Sequence, residues 1–453
     1  MRYVSLILSV LLLVSACVIP GAAAEVVEVF VTLDGTPLAD DLRAAGGAAA
    51  YAATADGAAA IAAAQAQLDA AAQAVEALGG EVLGQSWLLS RSLGVRISAA
   101  RLDELAAIEG VRAIELISTR TAPTAAEDVR EGGDPSPIYA PDLLDLDAIH
   151  AAGLRGEGVL VAVVDTGFDL SHPVFTMPEG AEPAMTIFEL AEIWPLLSIN
   201  TRHFYAPQPM NLYVGDKVAY AYDYVGTDTD VSAVDVHGTH VASILAGGAD
   251  ASGEFVGIAP AAQLLLMKVF SDGDKAVASD YAVYRAVEDA VLLGADVISL
   301  SLGSAPGYLY ATNTFSLYRH LEQARELGCV VVCAVGNDGA VGPGSAWDKA
   351  EGIKLPLAAN PDYGLVADPA SYATTLAVGA YTPDRILQTG LGSGDGVIFS
   401  FTDSAVGQGF ADMRFDTAFD GQTLEFVAVP GIGAADDYAG LDLSGKLALV
   451  RRG

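Results

Sequence analysis

From about residue 155 the chain carries four near-continuous apolar runs: VLVAVVD (159–165), AQLLLMKVF (262–270), ADVISLSL (295–302) and CVVVCAVG (329–336). Strands buried on both faces read this way, because neither side of the pleat meets water. Between them, VASILAG (241–247), SDYAVYRAVEDAVLLG (279–294) and TFSLYRHLEQARELG (314–328) read as helices, with Ser279 as an N-cap and Gly328 as a C-cap. Strands and helices in alternation predict an α/β fold, a doubly wound and mostly parallel sheet.

Residues 25–120 have a different pattern. EVVEVFVT (25–32) reads as a strand, followed by an Ala-rich helix that closes at Gly79-Gly80. EVLGQSW (81–87) and SLGVRI (92–97) are two more strands, Ser98 caps a helix over 99–109 that Gly110 ends, and VRAIELI (111–117) is a last strand. The order βαββαβ predicts a ferredoxin-like α+β unit. TAPTAAEDVREGGDPSP (121–137) has linker composition, and residues 395–453 return to short strands and turns.

The first residues read as an export signal, with Arg2, an apolar VSLILSVLLLV (4–14) and then small residues. Two processing sites compete. VSAC (14–17) resembles a lipobox that would lipidate Cys17, and AAAE (22–25) resembles an ordinary cleavage site. No other stretch is long and uncharged enough to span a membrane.

With 57 Asp+Glu against 23 Lys+Arg, the chain lacks the basic face that nucleic acid requires, and its acidity reads as solubility. Of three cysteines, Cys329 and Cys333 share one predicted strand. Four residues apart they lie roughly 13 Å from each other at about 3.3 Å per residue. A disulfide needs a Cα separation of about 4.4–6.8 Å, so the two read as small core residues.

Three stretches carry chemistry. Asp165 ends a buried strand, and sites in open parallel sheets form beyond the carboxyl ends of strands. In DVHGTHVASILAG (235–247), His237 opens a helix and Gly238 permits a close approach. One reading makes His237 and His240 metal ligands, but no HExxH motif supplies a base or third ligand. The other pairs a histidine with Asp165, whose carboxylate fixes the imidazole tautomer and stabilises the imidazolium. In VVVCAVGND (330–338), Asn337 is an uncharged donor of the kind an oxyanion hole uses.

Together VVDTG, HGTHVAS, GIAPAAQLLLMKV, ISLSLGS and AVGND resemble the subtilases, subtilisin-like serine peptidases, over roughly 155–380. The resemblance implies a subtilisin-like domain over 138–394. In it Asp165 is the orienting acid, His237 general base then acid, Asn337 the oxyanion donor, and His240 packs under the helix. Ser301, Leu302, Gly303 and Ser304 would face Ala334, Val335 and Gly336 across the primary substrate pocket, and the backbone of 301–303 would offer a free edge to an extended peptide.

GDKVAYAYDY (215–224), the long insertion before His237, and the stretch from 351 to 384 look like the cell-envelope branch of lactocepins and complement-cleaving peptidases. GLDLSGKLALVRRG (440–453) resembles the start of a protease-associated domain, which in that branch precedes the nucleophile. No GTSMAAP-like stretch occurs, so the expectation is a serine beyond residue 453 and a 453-residue chain inactive alone. Residues 25–120 resemble an inhibitor-type prodomain. The expected protein is a secreted or cell-envelope endopeptidase, made as a zymogen and inhibited by its own prodomain. It touches membrane only through its signal or a lipid. No cofactor is implied; structural calcium, common in the wider family, has no assignable loop here. The rival readings are a catalytically dead binding or adhesion protein on the same scaffold, and a metal hydrolase using the histidine pair.

Overall fold

The computed structural model describes residues 25–117, 119–121, 144–200, 207–233, 235–248, 256–272, 277–304, 316–336, 366–380, 390–392, 398–400 and 423–450. Chain contacts divide it into one unit of residues 1–126 and 145–381 and a second of residues 127–144 and 382–453.

In the first unit, residues 26–116 form a four-stranded antiparallel sheet. Its strands are β1 (Val26–Leu33), β2 (Glu81–Ser86), β3 (Ser92–Ser98) and β4 (Val111–Leu116), in the order β2-β3-β1-β4. The expected single Ala-rich helix is three: Ala39–Ala45, Ala48–Ala52 and Ala55–Ala77. Gly46 and Gly47 divide the first two, and the Thr54 side chain caps the third by accepting from the Gly57 amide at 3.0 Å. Ile61, Ala64, Leu68, Ala72 and Val75 of that helix join Val29, Val31, Val95 and Ile97 of the strands in one core. Ser98 makes no capping bond. The Ala99 amide donates to the Glu25 carbonyl at 2.8 Å, and the next turn is a 3-10 helix, Ala99–Arg101, before Leu102–Ala106. β5 (Thr119–Thr121) pairs antiparallel with β9 (Val277–Ser279).

The second layer system of this unit is a six-stranded parallel sheet. Its strands are β6 (Leu160–Asp165), β7 (Val218–Asp223), β8 (Gln263–Lys268), β10 (Val297–Leu300), β11 (Val330–Ala334) and β12 (Leu376–Val378), in the order β12-β11-β10-β6-β8-β7. Every residue of β6, β7 and β8 is buried, which explains their continuous apolar composition. β7 and β8 lie on one side of β6 and β10 to β12 on the other, so the strand order reverses at β6 and opens a crevice beyond its carboxyl end.

Alternation along β6 decides what that crevice contains. Leu160, Ala162 and Val164 face one core, which includes helices Asp280–Leu292 and Ser316–Glu326. Val161 and Val163 face the other, with Ala242 and Ala246 of helix His237–Ala246. Asp165 continues the second series by the two-residue period, so it points to the face that this helix covers. Ser279 caps helix Asp280–Leu292, accepting from the Tyr281 amide at 3.2 Å. Cys329 and Cys333 are buried free thiols.

The insertion before β7 carries helix Ile187–Ile193, closed at its start by a Thr186/Glu189 capping box, and helix Pro209–Leu212. In the second unit, β13 (Gly390–Gly392) pairs antiparallel with β14 (Ile398–Ser400), and β15 (Phe426–Val429) pairs in parallel with β16 (Leu447–Val450). Among the described residues no helix is long and apolar enough to cross a membrane.

Candidate active site

At the end of β6 the Asp165 carboxylate is fully buried. Its Oδ1 accepts from the Thr166 amide at 2.7 Å and lies 2.6 Å from His237 Nδ1. The short separation and burial make this a strong, charge-assisted contact. It also fixes the tautomer: Nδ1 carries the proton toward Asp165, which leaves Nε2 to act as acceptor. Burial presses the His237 pKa down, but the hydrogen bond and charge of Asp165, with Asp235 adding to them, raise it overall.

The helix reaches the strand end because Gly238 has no side chain. A Cβ there would lie 2.3 Å from the Gly167 carbonyl oxygen and 3.2 Å from Asp165 Cβ. The Gly238 amide donates to Thr166 Oγ1 at 3.1 Å, and the Asp235 carboxylate accepts from the His237 amide at 2.8 Å, holding the first turn.

The loop that leads into this helix is stapled twice. The Phe168 amide donates to the Val231 carbonyl at 2.7 Å, and Lys268 Nζ donates to the Ser232 carbonyl at 2.8 Å. Lys268 stands beside Asp165 in the β6–β8 register and beside Asp223 in the β7–β8 register. Its ammonium is 3.0 Å from Asp223 Oδ2 and 3.0 Å from Asp272 Oδ2. Sequence reasoning passed over Lys268; a single cation inside the run LLLMKVF was the available signal.

The two segments expected to flank the substrate pocket are joined through a third segment that the sequence did not suggest. Ser301 to Ser304 follow β10, and Val335 and Gly336 follow Ala334 at the end of β11. The Ser304 amide donates to the Asp368 carbonyl at 2.8 Å, and the Ala367 amide donates to the Val335 carbonyl at 2.8 Å. Ala367 and Asp368 thus bridge the two segments at Ser304, just beyond the 301–303 backbone expected to offer a free edge. Leu302 is buried at 1% exposure, part of the core rather than a lining side chain.

His240 does not pack under its helix as expected. Its side chain is exposed, on the helix face that it shares with His237 three residues earlier. Among the described residues no group of three His, Cys, Asp or Glu is arranged to hold a metal ion. Asn337 and Cys17 lie outside the described residues.

A parallel sheet whose order reverses at an Asp–His pair, with the histidine opening a helix, defines the class. The chain matches the subtilase family (peptidase S8) over residues 156–423 and belongs to that family. It is 32% identical over 275 residues to the C5a peptidase of Streptococcus pyogenes serotype M6, covering 60% of this chain and 21% of that protein. It is 27% identical over 397 residues to the PI-type proteinase of Lactococcus lactis subsp. cremoris, covering 84% of this chain and 19% of that protein. Among solved structures, the epidermin leader peptide processing serine protease of Staphylococcus aureus is similar at 17% identity and a TM-score of 0.44, covering 79% of this chain and 69% of that one. The chain spans about a fifth of the length of the curated relatives it matches.

Proposed function

We propose that this chain belongs to an exported serine endopeptidase in which Asp165 and His237 are the acid–base pair. The observation that carries the reading is the 2.6 Å contact between Asp165 Oδ1 and His237 Nδ1 at the switch point of a subtilase-family sheet. His237 takes the proton of a serine hydroxyl through Nε2 as the oxygen attacks the peptide carbonyl, and then returns it to the leaving amine. Asp165 orients the imidazole and stabilises the imidazolium. Asn337 donates to the oxyanion of the tetrahedral intermediate. The nucleophile is a serine outside residues 1–453, since none within them has the expected sequence context.

The substrate is an extended peptide lying along Ser301–Gly303, with Ala334, Val335 and Gly336 opposite and Ala367–Asp368 closing the far end of the cleft. Residues 25–120 act as a prodomain and intramolecular inhibitor, released by cleavage within 118–137. Residues 395–453 begin a protease-associated domain. Export follows the N-terminal signal, to the cell envelope or beyond it.

A fluorophosphonate probe tests the nucleophile. A chain extended through the missing serine should label stoichiometrically and the 453-residue chain should not. Stoichiometric labelling of the 453-residue chain would place the nucleophile within it and overturn that part of the reading.

A further inference from the structure

Lys268 ends β8 and is buried at 1% exposure. A lysine ammonium carries three donors and no acceptor, and here each donor meets a different segment. One reaches Asp223 Oδ2, at the end of β7, at 3.0 Å; one reaches the Asp272 carboxylate at 3.0 Å; one reaches the Ser232 carbonyl at 2.8 Å. A buried ion pair adds little net stability by itself, and its best-attested use is to select one arrangement among several. The three contacts select the route by which the chain arrives at His237.

That route is the loop from Asp223 to His237. At its start Asp223 Oδ1 accepts from the Val225 and Gly226 amides, both at 2.8 Å, and the Asp223 amide donates to the Asp228 carbonyl at 2.9 Å. In its middle the Asp230 carboxylate accepts from the Ser232 amide at 3.0 Å and the Ser232 hydroxyl at 2.6 Å, while the Ser232 carbonyl faces the ammonium. At its end the Asp235 carboxylate accepts from the His237 amide at 2.8 Å. One ammonium therefore holds both the beginning of the loop and a point five residues before His237.

The same side chain touches the other member of the pair. Lys268 is the register neighbour of Asp165, and a Cβ on Gly167 would lie 3.3 Å from Lys268 Cδ, so the lysine stem lies against the turn that follows Asp165. Only a main-chain bond, from the Phe168 amide to the Val231 carbonyl at 2.7 Å, runs beside it between that turn and the loop.

We propose that Lys268 is a positioning residue for the peptidase reaction: by holding the Ser232 carbonyl while its stem packs on the turn after Asp165, it sets where the His237 imidazole meets that carboxylate. The inference rests on the reading of Asp165 and His237 as the acid–base pair. Alignment of this kind acts on the chemical step, and a misplacement of about 1 Å from a distant change can lower the rate about 100-fold.

The test separates positioning from stability. Lys268→Met alone leaves the Asp223 charge buried without its cation. Adding Asp223→Asn removes that charge, yet the Ser232 carbonyl still has no ammonium donor. Lys268→Arg keeps the charge, but a planar guanidinium cannot aim single donors at three segments as an ammonium does. In the enzyme extended through its serine, the double variant should regain half or more of the urea midpoint lost in Lys268→Met. Its kcat should stay about 10- to 100-fold below wild type with KM within about 3-fold, and Lys268→Arg should lose about 3- to 10-fold in kcat. The His237 imidazole is also titrated by NMR in the 453-residue chain. Burial lowers its pKa, and the Asp165 contact, with Asp235, raises it overall; His240 is the other titratable group close enough to feel its charge. A loosened Asp165 contact should move the titration of both variants to lower pH. This arm needs no nucleophile, so a shift there, with no turnover in the extended wild-type enzyme, would count against the peptidase reading alone. Wild-type kcat in whichever variant folds, a loss carried by KM alone, an unmoved His237 titration, or failure of both variants to fold would overturn the proposal.

Discussion

Lys268→Met is the most informative perturbation of the site's framework. The side chain of Lys268 is 2% exposed and that of Asp223 is 6% exposed, whereas that of Asp272 is 61% exposed. Losing the cation leaves Asp223 as a buried charge without its partner, which costs about 3–5 kcal/mol. The exposed Asp272 contributes little to that sum. The Ser232 carbonyl also loses its donor, so the loop before His237 keeps only the Phe168–Val231 staple. A loss of about 3–5 kcal/mol is a large share of the roughly 5–15 kcal/mol that holds a domain folded. Urea unfolding, followed by a probe in the first unit, should show the midpoint moving down by a corresponding amount with little change in slope.

Adding Asp223→Asn separates charge from shape. Asp223 Oδ1 accepts from the Val225 and Gly226 amides, both at 2.8 Å, and an asparagine oxygen retains those bonds. The double variant should therefore recover half or more of the loss. A shift below about 1 kcal/mol for Lys268→Met would refute the reasoning, since it would mean that the ammonium does not compensate Asp223. So would a double variant no more stable than the single one.

Burial raises the Glu288 pKa to about 7 and that of Asp289 to about 6, above the ordinary 4.5 and 3.8. Groups with raised folded pKa values stabilise most at low pH, so the first unit should lose stability as pH rises from about 3.8 to about 7. Glu288→Gln should flatten that slope in urea titrations, and an unchanged slope would contradict the assignment. Gly238→Ala drives a methyl group into the Gly167 carbonyl and should destabilise by about 1–3 kcal/mol while weakening the Asp165–His237 contact; a neutral effect on unfolding would contradict the close approach. The Cys329 thiol, raised to about 12 by burial and the nearby Asp296, should resist maleimide in the native protein and react once it is unfolded.

The parallel sheet was legible because strands buried on both faces leave continuous apolar runs. The place of Asp165 at the carboxyl end of a strand followed from the same pattern; the face it takes was settled by the two cores that Val161 and Val163 and their neighbours join. Contacts that join distant segments were not legible. Nothing local in VADPASY (366–372) shows that its backbone joins the two pocket walls, because that pairing is main chain to main chain. Glu288 and Asp289 lie in the stretch that reads in sequence as a helix. They are buried because a second sheet and an inserted segment cover them, which periodicity within one helix does not reveal. Ser98 had the composition of a cap but makes no capping bond.

The central claim is that Asp165 and His237 act as one acid–base unit, and turnover of a casein-like substrate tests it most directly. In the enzyme extended through its serine, His237→Ala should lower kcat by at least about 10⁴-fold with the fold intact, and Asp165→Asn by about 10⁴-fold through loss of the fixed tautomer. Combining the two should cost little more than His237→Ala alone, because the residues work together. Near-normal turnover in His237→Ala, or losses that multiply independently in the double variant, would contradict the account.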